Sequence, residues 1–368
     1  MLSYTPRDIS HWISLIATLL ETANMQRIGF IVFVIAFAGL FSSRSACAID
    51  PIPEPRSSEE VEVTHPNLTF KTLGGRQFWG DVQFFHGWRI QHNVLMKDHY
   101  RLLDADDMRH AWGTLDECRQ KLAEIRQTEK LPAMSGKAVI LLHGITRSSK
   151  HMAKLREPFE KAGYSVFAMD YPSTRVPVQE SAGYLKKVID SLEGITEINF
   201  VVHSMGGIVV RTYLQEHAPR DARIGRMVMI GSPNNGANLA DMLQEKLNGI
   251  FKPIFGPAGQ QLVTDTDGFI ANLPIPDFEF AVIAGARGHK DGFNPLIPGD
   301  DDGIVSVAST RLPGAADFLQ VEPTDVLKVD STHTFLPTNA SVHGACVRFM
   351  QSGSLRADGT KAPIARIP

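Results

Sequence analysis

The stretch EINFVVHSMGGIVVRTYL, residues 197–214, decides the fold. Ile198 to Val202 is a short apolar run rich in β-branched residues, the pattern of a buried strand. After His203, Ser204, Met205 and two glycines, Ile208 to Leu214 takes up a helical pattern. A serine pinched between strand and helix has the layout of a nucleophile elbow. The tight turn lifts the hydroxyl clear of the backbone, and the helix N-terminus behind it favours negative charge. Alone, the stretch also reads as an ordinary strand-to-helix loop that contains a serine. Its neighbours have to decide.

On both sides of it, strands and helices alternate. Strands are expected at Ala138–Leu142, Ser165–Met169, Arg226–Ile230, Phe280–Ala284 and Val326–Val329. Helices are expected from about Lys150 to Ala162, over Val178–Glu193, from the elbow to about His217, and over Thr338–Met350. Such alternation predicts a mostly parallel sheet with helices on both faces. Ahead of it, Asp81–Phe85 and Trp88–Leu95 read as two strands joined through His86-Gly87, and Thr114–Lys130 reads as a helix with Leu115, Cys118, Leu122 and Ile125 on one face.

An open parallel sheet carries its site on loops at the carboxyl ends of the strands. That filter sorts the 13 histidines and the many acids. A serine hydroxyl needs a base, and the base needs an acid to orient it. His333, in DSTHTFLP, falls between the last strand and the last helix and is the candidate base. His343 lies inside that helix beside Val342, Cys346 and Val347, where packing is the simpler reading. The loop after Arg226–Ile230, GSPNNGA, has no carboxylate. The loop after Phe280–Ala284 ends in DDDGIVSV, and there Asp302 is the candidate acid, followed by Asp301 and then Asp291. Ile304 to Val307 resumes a strand-like pattern. A cluster of acids is also the pattern of a solvated turn or a cation site. The order Ser204, acid, His333 favours catalysis. The oxyanion of a tetrahedral intermediate needs backbone donors. The amides of Met205, directly after the serine, and of Ile145, in HGITRSS after the first parallel strand, are the candidates. His143 and His203 border the site and read as braces for its loops.

LLHGITRSS, VVHSMGGIVV, MIGSPNNGA, DDDGIVSV and STHTFLP together resemble the successive signature loops of α/β-hydrolase lipases and esterases, in the branch with bacterial lipases and the GPI inositol-deacylase-like proteins. The resemblance spans residues 135–352. It implies the α/β-hydrolase fold and a serine hydrolase of carboxylic esters, with Ser204, Asp302 and His333 as triad, Ile145 and Met205 as oxyanion donors, no cofactor and no metal. Two departures stand out. Val202 occupies a position where the G-x-S-x-G pattern has a small residue, which predicts a slightly adjusted elbow. Phe335 occupies the place where some bacterial lipases hold a structural calcium ligand, so calcium is not carried over. The same triad could serve an acyltransferase, thioesterase or amidase on lipid or cell-envelope material, and the scaffold could also support a non-catalytic binding protein.

Other segments bound the function. Hydrophobic residues make up 43% of the 368, enough for a sizeable core, and a net charge of -3 gives no basic field for nucleic acid. The expected substrate is a small-molecule or lipid ester. Ile28–Phe41 is an uncharged apolar run before SSRSACAID, and Ala46-Cys47-Ala48 fits a cleavage site, so residues 1–48 read as an extension with a signal peptide and predict export; the alternative is an uncleaved membrane anchor. Residues 49–66 read as a linker, 67–134 as strands and a helix packed on the core, and 353–368 as a tail. Within the 135–352 core, the insertion 237–277 carries Leu239, Leu243, Leu247, Ile250, Phe251, Ile254 and Phe255, a stripe suited either to a lid over the site or to an ordinary sheet-covering helix. In an oxidising compartment Cys118 and Cys346 could pair, or could remain two separate buried thiols.

Overall fold

Two sheets organise the computed structural model, which describes residues 70–72, 76–236, 251–263, 268–312 and 325–362. All of these belong to one of two contact-defined units, His65–Pro368; the other, Met1–Thr64, lies outside the described residues, and with it the signal segment and the linker.

The first sheet is antiparallel. It comprises β1 (Phe70–Lys71), β2 (Trp79–Phe85), β3 (Trp88–Asn93), β4 (Tyr100–Leu103) and β5 (Met108–Gly113), in the order β1-β5-β4-β3-β2. β2 and β3 form the expected hairpin about His86-Gly87, with His86 in the left-handed region at φ 50. β4 and β5 were not legible: β4 buries an arginine within a run of three buried residues, and β5 buries Ala111 alone, so neither shows clean alternation. Arg101 of β4 is buried, donates to Gln91 Oε1 (2.9 and 2.7 Å) and lies over the Trp79 ring. Helix α1 (Leu115–Thr128) follows, started by a reciprocal capping box between Thr114 and Glu117, and buries Cys118, Leu122 and Ile125.

The second sheet is parallel throughout: β6 (Gly136–Leu142), β7 (Ser165–Met169), β8 (Ile195–His203), β9 (Ile224–Ile230), β10 (Phe280–Gly285) and β11 (Asp325–Val329), in the order β11-β10-β9-β8-β6-β7. Between its strands run α2 (Arg156–Lys161), α3 (Val178–Ser191), α4 (Met205–Glu216) and α5 (Phe251–Gln261), and α6 (Ala340–Ser352) follows β11. The helix expected from Lys150 opens as a 3-10 turn, Ser149–Leu155, before α2. Alternate residues of each strand feed two cores: Ala138, Ile140, Leu142, Phe200 and Val202 on one face, Val139, Leu141, Val201 and Val228 on the other. Each such side chain fully withdrawn from water contributes about 1.5–3 kcal/mol before entropy is charged. This explains the near-continuous apolar runs in the sequence.

Cys118 belongs to the first core and Cys346 to the second; both are free buried thiols. Ile304–Val307 bends instead of forming a strand, because the amides of Ile304 and Val305 are captured by the Asp302 carboxylate. The outer edge of β11 is covered by the tail, where Val326 N–H donates to Ala362 O at 3.0 Å. Among the described residues no helix is long and apolar enough to cross a membrane.

Candidate active site

β8 ends at His203 and α4 starts at Met205, so Ser204 alone makes the turn, at φ 55 and ψ -124. A side chain in that region of φ costs about 1–2 kcal/mol and persists where the surroundings fix it. Here the Ser204 amide donates to Ile230 O of β9 (2.9 Å), and Gly207 N–H donates to Ser204 O (3.1 Å). The hydroxyl does not cap the helix that it precedes. Glycines make the approach feasible. A Cβ on Gly206 would stand 2.9 Å from Leu142 O, and one on Gly144 would stand 2.9 Å from Ser204 Cβ. Val202 is fully buried, and its Cγ2 lies 3.6 Å from where a Cβ on Gly207 would be, an ordinary contact. The closest approaches at the elbow fall on glycines, Gly206 against Leu142 O and Gly207 against Ser232.

His333 follows β11 in the 3-10 turn His333–Thr338 and is buried. Its Nδ1 meets Asp302 Oδ2 at 2.6 Å, and its amide donates to Asp302 O at 2.9 Å. The other carboxylate oxygen of Asp302 accepts from Ile304 N–H (3.0 Å) and Val305 N–H (2.8 Å), which fixes the acid. The neighbouring acids do other work. Asp301 accepts from the amides of Asn294 and Gly303, Asp300 accepts from those of Arg287 and Gly288, and Asp291 is exposed beside His289. His343 Nε2 donates to Pro337 O at 2.9 Å, away from the elbow. Glycines again mark close approach: a Cβ on Gly231, just past β9, would lie 3.1 Å from His333 Nδ1, and one on Gly285 would lie 2.5 Å from Asp302 Cβ. The ends of β8, β9 and β10 thus gather Ser204, His333 and Asp302 at one rim of the sheet.

The loop after β6 runs past this rim. Gly144 touches Ser204, and Ile145 follows it, half-buried against the core. Met205 is the first residue of α4, where backbone N–H groups have no partner within the helix. Both amides are therefore on backbone that borders the serine.

Three further histidines surround the site, all held neutral. His143 is buried, stacks on Tyr171 with ring centroids 4.2 Å apart, bonds Gly144 O through Nδ1 (2.7 Å), and accepts from Tyr171 N–H through Nε2 (3.4 Å). Burial lowers its pKa. His203 donates from Nε2 to His333 O (3.1 Å), and burial, reinforced by His333, holds it well below the usual range. His151 packs on His203 at 5.2 Å and is lowered by burial to about 4. The Nδ1 of His203 and the Nε2 of His151 are buried without a partner. Among the described residues no group of three His, Cys, Asp or Glu side chains is placed to hold a metal ion.

Two contributors escaped the sequence reading. Arg211 of α4 is fully buried and donates to the carbonyls of Leu273 (2.7 Å), Pro274 (3.0 Å), Asn234 (3.2 Å) and Ile270 (3.4 Å). It ties the segment after α5 to the elbow helix. Gln77 reaches from the turn before β2 to the loop after β6, donating to Arg147 O at 2.6 Å. Nothing local in the sequence marks either, since their partners lie far along the chain. Of the expected lid stripe, Leu239, Leu243, Leu247 and Ile250 lie outside the described residues. Helix α5 itself is kinked at Gly256, where the backbone presses on Thr174 O, and Ile254 is half-buried.

Comparisons with known proteins add the following. The family model described as Domain of unknown function (DUF7379) matches residues 103–259, less than half of the chain. No curated protein matches it. Solved structures similar to it include the mature lipase BlEst2 of Bacillus licheniformis, 21% identical over 61% of this chain and 94% of that one, with a TM-score of 0.45. The phospholipase PlaB of Legionella pneumophila is 19% identical over 48% of this chain and 44% of that one (TM-score 0.40). Lipase B of Aspergillus fumigatus is 15% identical over 62% and 54% (TM-score 0.44). From its own topology, six parallel strands ordered β11-β10-β9-β8-β6-β7 with a serine turning sharply from β8 into α4, the chain has the α/β-hydrolase fold.

Proposed function

We propose that the protein hydrolyses carboxylic esters through an acyl-enzyme, with Ser204 as nucleophile, His333 as general base and Asp302 as its orienting acid. The observation that carries this reading is the 2.6 Å bond between His333 Nδ1 and Asp302 Oδ2, made at the same rim as a serine in an elbow turn, whose neighbour His203 bonds His333 O at 3.1 Å. A carboxylate at Nδ1 holds the proton there and leaves Nε2 as the basic nitrogen. Ser204 Oγ attacks the ester carbonyl while its proton passes to His333 Nε2. The imidazolium so formed is stabilised by Asp302. The amides of Ile145 and Met205 hold the developing oxyanion, an interaction that strengthens in the transition state. The tetrahedral intermediate collapses, the alcohol leaves with the proton from His333, and water repeats the sequence to free the acid.

The test is turnover of p-nitrophenyl esters of graded acyl length, together with labelling by a fluorophosphonate. Expected are hydrolysis and a single adduct on Ser204, both abolished in Ser204→Ala. Purified protein that turns over none of the esters and leaves Ser204 unlabelled would overturn the proposal.

A further inference from the structure

The 3-10 turn Arg76–Phe78, which precedes β2, brings the antiparallel sheet against the loop after β6. Gln77 makes the join. Its Nε2 donates to Arg147 O at 2.6 Å, and its Oε1 accepts from Ser173 Oγ (3.0 Å), Thr174 N (3.2 Å) and Thr174 Oγ1 (3.0 Å). Ser173 Oγ in turn accepts from Thr146 N–H at 3.1 Å. The ring closes on the two residues directly after Ile145, at Thr146 N–H and Arg147 O.

That loop needs holding. Arg147 N–H donates to Gly144 O at 3.2 Å, which makes a four-residue turn with Thr146 third, at φ 61. Glycine or asparagine suits that position; a β-branched residue is strained there and stays only where its surroundings over-determine it. The neighbouring Arg76 secures the other end of the loop. It donates to Ser149 Oγ (3.0 Å) and pairs with Asp170, which accepts from Ser149 N–H at 2.7 Å.

We infer that Gln77 is a positioning residue for the oxyanion loop, so that the antiparallel sheet is part of the catalytic unit. The inference rests on the ester-hydrolase reading for its catalytic consequence, but the ordering of the loop can be read separately. The protein and its Gln77→Met and Gln77→Glu variants are compared in three measurements. These are p-nitrophenyl butyrate kinetics, inhibition by a trifluoromethyl ketone whose hydrate anion fills the oxyanion site, and deuterium uptake by peptides covering 143–149 and 198–203. Gln77→Met, which keeps the length and loses every hydrogen bond, should lower kcat about 10–100-fold with KM within about twofold. Inhibitor affinity should fall by a similar factor, because binding energy is lost in the transition state and not in the ground state. Uptake should rise at 143–149 and stay unchanged at 198–203. Gln77→Glu keeps an acceptor and loses the donor to Arg147 O, so it should fall between, and it supplies the same comparison should Gln77→Met fail to fold. Unchanged kcat overturns the inference, whether uptake rises or not. A parent protein inert to esters and unlabelled at Ser204 defeats the hydrolase reading instead, and uptake at 143–149 then decides alone whether Gln77 orders the loop.

Discussion

Replacing Asp302 with asparagine keeps the shape of the side chain and leaves an oxygen for the amides of Ile304 and Val305. What changes is the atom facing His333 Nδ1. An amide N–H there opposes the ring N–H, and the imidazole is driven toward the tautomer that cannot accept the serine proton. The expected loss in kcat is about 10³–10⁴-fold, with KM and the unfolding midpoint little altered. Steady-state kinetics of Asp302→Asn beside Asp301→Asn check it, since Asp301 bonds only loop amides; equal losses in both would remove Asp302 from the mechanism. Val202 invites the opposite experiment. It is fully buried between Leu142 and Met229 on the neighbouring strands. Val202→Gly restores the small residue of the general pattern but opens a cavity and frees the backbone, for a loss of about 3 kcal/mol in urea unfolding. Turnover per folded molecule should not rise. A tenfold gain would mean that the valine strains the elbow.

At the scale of elements, the strands were legible because a parallel sheet buried on both faces writes itself as runs such as AVILL and INFVV. The order of Ser204, Asp302 and His333 could be read because Ser204 and His333 sit within four residues of the ends of β8 and β11, while Asp302 closes the long loop that follows β10. Asp302 was preferred to Asp301 for its place just before Gly303 and Ile304–Val307; what the fold adds is where the turn aims each, Asp302 at His333 and Asp301 at loop amides. β4 and β5 were hidden because β4 buries Arg101, bonded to Gln91 of β3, beside Leu102 and Leu103, while β5 buries Ala111 alone, so neither alternates cleanly. Arg211 was hidden because its partners lie far along the chain. It sits on α4, one helix turn after another from the elbow, and takes its four carbonyls from 234 and 270–274. Burial lowers its pKa only to about 10, so it stays charged at neutral pH. Arg211→Met fills the space but strands those acceptors, each worth about 1 kcal/mol, so a loss of about 2–4 kcal/mol is expected in urea unfolding. Arg211→Lys should recover little, because a single ammonium cannot reach a fan of carbonyls laid out for a guanidinium. Limited proteolysis should show the first new cuts within 268–275. Cleavage elsewhere first would mean that Arg211 does not secure that segment.

Across the whole molecule, the two sheets are joined by a buried ionic layer, and its titration competes with that of four histidines, three around the site and His99 on the antiparallel sheet. Arg76 and Arg89 each pair with both Asp107 and Asp170, and Asp81 accepts from Asp170 N–H and from Gln91. Burial pushes Asp81 up to about 7 against the pull of Arg89, and the nearby Asp170 adds to the push. The fold therefore takes up a proton at Asp81 that the unfolded chain does not hold above about pH 4, and this stabilises the fold as pH falls through 7. The histidines act in the other direction. His151 is lowered to about 4, and His143, His203 and His99 are lowered too, each first of all by burial. Below the ordinary histidine pKa of about 6.5 the unfolded chain binds these protons and the fold refuses them. Each such site removes up to about 1.4 kcal/mol per pH unit of acidification. Four histidines oppose Asp81 and Asp301, the latter also raised by burial, and outweigh them, so the unfolding midpoint should fall from pH 7 to pH 5. Two variants separate the contributions. Asp81→Asn removes the compensating proton and should steepen the fall. His151→Phe exchanges a buried nitrogen without a partner for apolar surface and should flatten it, with the pair His333–Asp302 untouched. Thermal melts of the three proteins between pH 5 and 8 decide the matter: parallel midpoint-against-pH curves would show that neither Asp81 nor His151 titrates differently in the fold.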